Sequence, residues 1–227
     1  MFQGFSNATV DFMWGIRFNN ERPWFEAHKA EYLTHFYQPM KELANEVYDR
    51  FQAEHAVPGL CWKVSRIYRD ARRLYGRGPY KDHLWLSLER PGEDRFSARP
   101  VFWFELAPEG WSYGLGYWSA TPLTMARLRA RIDRAPKDFE RLARRLERQE
   151  EFTLGGETYK RPKGTAPSPL LQPWYDRKSP VLEHREKLGP ILYSHDLADK
   201  LVEGYSFLRP FYDLFTALDG DPDPRDR

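Results

Sequence analysis

The sequence predicts an α+β fold in which an antiparallel sheet of about four or more strands packs against N-terminal, middle and C-terminal helices. Three observations predict it. Within residues 1–56 apolar side chains recur at helical spacing, most cleanly at Met40, Leu43, Ala44, Val47 and Phe51. Between 60 and 118 the period changes to two, with Leu84, Leu86 and Leu88 alternating with Trp85, Ser87 and Glu89. From 121 onward the helical period returns, as at Phe139, Leu142, Ala143 and Leu146. The strand connections are too short for parallel crossovers, so the sheet is antiparallel. This order places residues 1–218 in one domain and leaves 219–227 as a flexible tail.

Each element has its own signal. Ser6 caps a first helix with Val10, Met13 and Trp14 on one stripe, and Asn19 or Asn20 ends it. A second helix starts near Pro23-Trp24, and Phe25, Tyr32 and Phe36 share its inner side. Pro39 opens a third. After Pro58-Gly59, strands fall in residues 60–69, 84–89, 101–106 and 111–118, the last two joined by a turn at Ala107-Pro108-Glu109-Gly110. Helices in 121–149 open at Thr121-Pro122 and at Pro136. Gly155-Gly156 centres a hairpin over 152–160. Prolines 162, 167, 169 and 173 mark an extended connector over 161–178. C-terminal helices fill 179–218: a short one capped by Ser179-Pro180 and stopped by Gly189, then a long one from 195 that Pro210 kinks.

Composition narrows the function. At 41% hydrophobic and 30% charged, the 227-residue chain is too apolar to be disordered and too polar for a membrane protein. A net charge of +2 excludes histone-like wrapping of nucleic acid and any general attraction to anionic membranes. The densest apolar run, Val101 to Leu106, is far short of the ~18 residues a spanning helix needs and contains Glu105. Met1-Phe2-Gln3-Gly4-Phe5 lacks the pattern of a secretory signal, and Cys61 is the only cysteine, so the expected location is the cytoplasm with no membrane partner. No phosphate loop, dinucleotide fingerprint or nucleophile elbow occurs, so no cofactor is expected. His28 and His35 are seven apart, too far for one ion, and the other histidines lack ligand-spaced neighbours, so no metal site is expected. Cys61 reads as a packed thiol, and Gly114-x-Gly116 as a close backbone approach or bulge.

Charge concentrates in one place. Residues 63–81 hold Lys63, Arg66, Arg69, Arg72, Arg73, Arg77 and Lys81 against Asp70 alone, a local balance of +6. Trp62, Tyr68, Tyr75 and Tyr80 are interleaved, and Gly76, Gly78 and Pro79 supply a turn that could bring Arg72 back toward the strand. Guanidinium forks match phosphate or carboxylate, and several converging forks call for an anion. In that reading Arg66, Arg69 and Arg72 hold the anion, Tyr80 donates to it, Lys81 adds a point charge, and Asp70 orients an arginine or acts as a catalytic base. The competing reading is a solvated basic segment whose arginine stems cover neighbouring rings.

The run Arg66-Ile67-Tyr68-Arg69-Asp70-Ala71-Arg72, followed by Pro79-Tyr80-Lys81, resembles the bacterial and fungal family catalogued as domain of unknown function 2461. Its signature is R-x-x-R-D-x-R-F-x-x-x-(D/N)-K-x-x-Y. Phe2-x-Gly4-Phe5, Asn19-Asn20-x-x-x-Trp24-Phe25, Lys29, Tyr32, Pro39, Gly116 and Pro122 are also similar to that family. Arg73 stands where the family has Phe, Gly76 where it has Asp or Asn, and Arg77 where it has Lys; the missing acid at 76 weakens any role for it as base or ligand. The resemblance implies a site, not a reaction.

Three further candidates accompany the cluster. Asn20 and Trp24 fall at a helix junction, where the amide could bind a ligand and the indole wall a pocket, or where both could be a helix stop and core ring. His83, just after Tyr80-Lys81, could shuttle protons. Residues 127–148 carry nine cations against four carboxylates, either a nucleic-acid contact or the solvent face of two helices. The expected function is binding of, or catalysis on, a small anionic ligand bearing phosphate or carboxylate. The alternatives are a nucleic-acid-binding module using both basic regions, and a structural or partner-binding domain. The sequence sets no oligomeric state.

Overall fold

A computed structural model describes residues 1–91 and 99–225. Residues 92–98 of the expected sheet region, and 226–227 of the expected tail, lie outside the described residues. The chain begins with α1 (Asn7–Phe18), with Ser6 at its N-cap and Asn19 at its C-cap. Next comes α2 (Arg22–Glu31), whose Pro23 lies in its first turn. The helix does not stop before Pro39. It widens into a π-helical segment (Tyr32–Tyr37), where Gln38 N–H reaches the Leu33 carbonyl, and continues as α3 (Gln38–His55). The wide turn lets the chain pass a proline that an α-helix would not accommodate. Pro39 has no N–H to give the His35 carbonyl, and Thr9 Oγ1 donates to that carbonyl instead at 2.5 Å. The same Thr9 oxygen accepts from Ser6 N–H at 3.1 Å. One buried hydroxyl thus caps α1 and repairs the helix opposite it.

Six strands form an antiparallel sheet in the order β1-β2-β3-β4-β6-β5. They are β1 (Cys61–Val64), β2 (Leu84–Glu89), β3 (Pro100–Ala107), β4 (Gly110–Tyr117), β5 (Thr153–Gly155) and β6 (Val181–Lys187). The strand expected over 60–69 is shorter than its alternation: it ends at Val64 and resumes only as a single bridge from Tyr68 to Tyr80. The β3–β4 hairpin turns where expected. Two expectations are corrected. Residues 181–187 are a strand, not a short helix, because β4 presents bare glycines to them: a Cβ at Gly114 would lie 1.9 Å from the Leu182 carbonyl oxygen, and one at Gly110 2.3 Å from that of Glu186. The 152–160 hairpin is also absent as such. Gly156 turns at φ +92 against the Ser179 carbonyl, and β5 pairs with β6 in the register Thr153↔Glu183, Leu154↔Leu182, Gly155↔Val181.

The remaining helices are α4 (Pro122–Arg134), capped by Thr121 Oγ1 on Thr124 N–H; α5 (Pro136–Glu147); the short α6 (Gln172–Tyr175); and α7 (Asp196–Ala217), with Pro210 inside it. No helix among the described residues is long and apolar enough to cross a membrane. The expected tail, 219–227, follows a buried Leu218, and Asp221 accepts two hydrogen bonds from Arg131 at 2.7 and 2.8 Å, so the chain is tied down through that residue.

The chain divides into two compact units, neither continuous in sequence: Met1–Leu88 with Trp103–Tyr113 and Arg185–Ser206, and Glu89–Phe102 with Gly114–His184 and Phe207–Arg227. A chain that returns to each unit leaves no boundary in its composition. The first unit buries Phe2, Phe12, Phe36, Phe51, Phe104 and Tyr205. The second buries Phe102, Tyr117, Ile132, Trp174, Phe211 and Phe215, with Trp174 and Phe211 stacked at 6.0 Å. Replacing Thr9 by Val keeps shape but deprives both the Ser6 N–H and the His35 carbonyl of a partner. We expect a loss of about 1–3 kcal/mol in urea unfolding; an unchanged midpoint would show that the His35 carbonyl needs no repair.

Candidate functional site

The basic cluster folds back on itself in the first unit. Arg69 N–H donates to the Pro79 carbonyl at 2.8 Å and Lys81 N–H to that of Ile67 at 2.7 Å, flanking the Tyr68–Tyr80 bridge. The loop between them starts at Asp70, which accepts from Arg72 N–H, and turns through a 3₁₀ segment (Ala71–Arg73) and then Tyr75 and Gly76 at positive φ. Asn20, between α1 and α2, grips the Tyr80 peptide on both sides: Nδ2 donates to its carbonyl at 2.8 Å and Oδ1 accepts its N–H at 2.9 Å. Gly78 makes room, since a Cβ there would lie 2.2 Å from Asn20 Oδ1. Asn20 is therefore a backbone clamp, its amide committed.

Alternation along this extended segment sends Tyr80 and Lys81 to opposite sides. Tyr80 stacks on Phe25 at 4.3 Å and lies 5.4 Å from Tyr68; it is buried, which pushes its hydroxyl pKa up. The Lys81 ammonium instead rests on the face of Trp85, 3.8 Å from the ring centroid. Lys81 is only 8% exposed, and among the described residues its Nζ has no hydrogen-bond or ion-pair partner. Burial, with Arg69 and Arg66 adding to it, lowers its pKa to about 8, against an opposing pull from Glu105 on β3. Arg69 spends Nε on the Tyr80 carbonyl at 2.8 Å and holds Nη2 4.0 Å from Asp82 Oδ1. Burial lowers its pKa too, the Asp82 charge opposing and Arg77 assisting.

The other predicted residues are placed elsewhere. Arg72 is exposed and grips Asp70 in two-point fashion, Nε to Oδ1 at 3.0 Å and Nη2 to Oδ2 at 2.8 Å. Asp70 is thereby a turn cap and arginine partner. Trp24 stacks on His28 at 3.9 Å, and its ring fills the space a Cβ on Gly15 would need. It packs α1 against α2. Of the five residues expected to converge, Arg69 and Arg66 each act on Lys81 through space, while Tyr80 stacks on Phe25 and Arg72 pairs with Asp70.

Beside Lys81 lies a network that the sequence reading missed apart from His83. Asp82 Oδ1 accepts from His83 Nδ1 at 2.8 Å, and Oδ2 accepts from Arg17 Nε at 2.6 Å. Arg17 also pairs with Glu109, and its guanidinium lies 4.9 Å from the Trp14 ring centroid. The His83 hydrogen bond and then Arg17 hold the Asp82 carboxyl well below the usual carboxylate range. An ionised Asp82 keeps the proton on His83 Nδ1 and leaves Nε2 as the acceptor of the neutral ring. The His83 ring lies 5.9 Å from that of Trp85 at 25°, so one indole serves both the imidazole and the Lys81 ammonium. The available signal was the unbroken run Lys81-Asp82-His83 leading into a strand that carries Trp85; Arg17, 65 positions away, had none.

In the second unit part of the charge on the arginine-rich helices is paired. Arg131 and Arg134 meet Asp221, Arg141 meets Asp138, Arg144 approaches Glu140, and Arg145 lies over Phe207.

The buried lysine gives stability a pH dependence of definite sign. The unfolded chain holds the Lys81 proton to about pH 10.4, whereas the folded chain releases it near 8. Between these values the unfolded state binds more protons, so stability rises with pH. We expect the unfolding free energy of the wild type, relative to Lys81→Met, to climb by on the order of 2 kcal/mol from pH 7 to 10.5. A pH-independent difference in urea titrations would refute the burial argument.

Comparison with known proteins agrees with the resemblance carried by the Arg66–Lys81 segment. A search of curated proteins finds no match. The family model described as Conserved hypothetical protein (DUF2461) matches residues 8–214, a span that includes Asn20, Arg66, Arg69, Lys81 and His83. With the cluster and nearly the whole fold inside that match, the chain belongs to the DUF2461 family.

Proposed function

We propose that the protein binds a small anionic ligand, bearing a phosphate or carboxylate, against Lys81, Arg69 and Arg66 beside Trp85. One observation carries this reading: a lysine that is nine-tenths buried as a residue, its ammonium over an indole face, influenced by two guanidinium groups and lacking an acceptor among the described residues. Burying a cation without an acceptor is costly, and crowding it with like charge adds to the cost. A bound anion offsets both and supplies charge-assisted hydrogen bonds. The aromatic surface would hold the non-ionic part of the ligand, and the Asp82–His83 pair adds an imidazole whose Nδ1 is held by a carboxylate. A polyanion spanning both basic regions is less well supported, since Arg131, Arg134 and Arg141 already meet carboxylates. We place the protein in the cytoplasm, on the strength of its one cysteine and its modest charge.

Thermal unfolding in inorganic phosphate, pyrophosphate and citrate, with chloride at equal ionic strength as the control, tests the proposal. The melting temperature of the wild type should rise with the logarithm of anion concentration. Affinity should fall at least tenfold in Lys81→Met and Arg69→Gln, and should decline above about pH 8 as Lys81 loses its proton. Equal shifts in chloride, or in both variants, would overturn it.

A further inference from the structure

An amine with this setting is suited to more than holding charge. The features that make Lys81 a poor buried cation make its neutral form available: the side chain is nine-tenths buried, Nζ lies on the Trp85 face, and no carboxylate among the described residues pins it as an ammonium. Glu105 acts on it only through space, while Arg69 and Arg66 oppose its charge. Lysines desolvated beside a ring and crowded by other cations form imines with carbonyl compounds. The same arginines present planar forks that match a carboxylate.

We propose that Lys81 is a nucleophilic amine that condenses with the carbonyl carbon of a small oxo acid whose carboxylate is held by Arg69 and Arg66. This rests on the anion-binding reading of the same site and adds its substrate class. The neutral amine attacks, the new C–N bond forms as the carbonyl π pair moves to oxygen, and a nitrogen proton passes to that oxygen. The carbinolamine C–O bond then breaks, the oxygen leaves as water, and C=N forms; no oxidant or reductant is required. His83, on the same indole and with Nδ1 fixed by Asp82, carries the proton through Nε2 from the attacking nitrogen to the departing hydroxyl. His83 is a proton carrier here, and Asp82 and Arg17 position it.

The test needs no known activity. Full-length protein is incubated with pyruvate and sodium cyanoborohydride, digested, and searched for the reduced adduct by mass spectrometry. Lys81 should be labelled ahead of the surface Lys29, faster as pH rises from 6.5 to 8, and at least tenfold more slowly in Arg69→Gln. Lys81→Arg, which keeps the charge, should show no adduct at that position, and His83→Gln should slow labelling while leaving stabilisation by phosphate intact. Adduct spread over exposed lysines with Lys81 lagging, or labelling indifferent to Arg69→Gln, overturns the proposal. A protein stabilised by phosphate but unlabelled at Lys81 retains the anion-binding reading and loses the amine chemistry. A protein that shows neither loses both.

Discussion

The peptide group of Tyr80 decides what the basic segment can do. Its carbonyl accepts from Asn20 and Arg69, and its N–H is taken by Asn20 Oδ1. Three hydrogen bonds on the two peptide groups that flank Tyr80 leave the chain little rotational freedom there. Because side chains alternate along an extended backbone, fixing those peptides fixes both neighbours. Tyr80 enters the aromatic stack with Phe25, and Lys81 is driven under Trp85. The grip comes from a junction between two helices some sixty positions earlier, so the site is built by long-range contact.

That constraint explains the mixture of charges. Each arginine around the segment resolves its own desolvation differently. Arg72 stays in water with Asp70, Arg17 goes to Asp82 and Glu109, and Arg69 gives Nε to a carbonyl. Lys81 has no comparable outlet among the described residues. Interior lysines are tolerated when something else compensates, and natural proteins accept such local costs chiefly at functional sites.

Legibility followed the range of the forces involved. Ser6, Thr121 and the Ala107–Gly110 turn act on their own neighbours, and the elements they bound were readable directly. The continuation past Pro39 was not, because the group that takes the His35 carbonyl is Thr9, 26 positions upstream of that histidine. Residues 181–187 have helix-forming composition, but cross-strand pairing outweighs a local preference of a few tenths of a kcal/mol per residue. Within the site, charge density and interleaved rings drew notice to Arg69 and Lys81. They could not say that Arg72 would be occupied by Asp70, that Asn20 would serve the backbone, or that Trp85, one of several alternating strand residues, would lie beneath the lysine. The acid at 82 was overlooked because its neighbours carried more charge than it did.

The glycine strip on β4 constrains how this architecture can be altered. With Leu182, Glu186 and Pro180 carbonyls lying where Cβ atoms of Gly114, Gly110 and Gly116 would project, the two backbones behave as interlocking halves of a single part. Any added methyl on one half must be answered by displacement of the other. Transplanting or redesigning this portion of the sheet therefore requires moving both segments together, even though more than sixty residues of chain separate them.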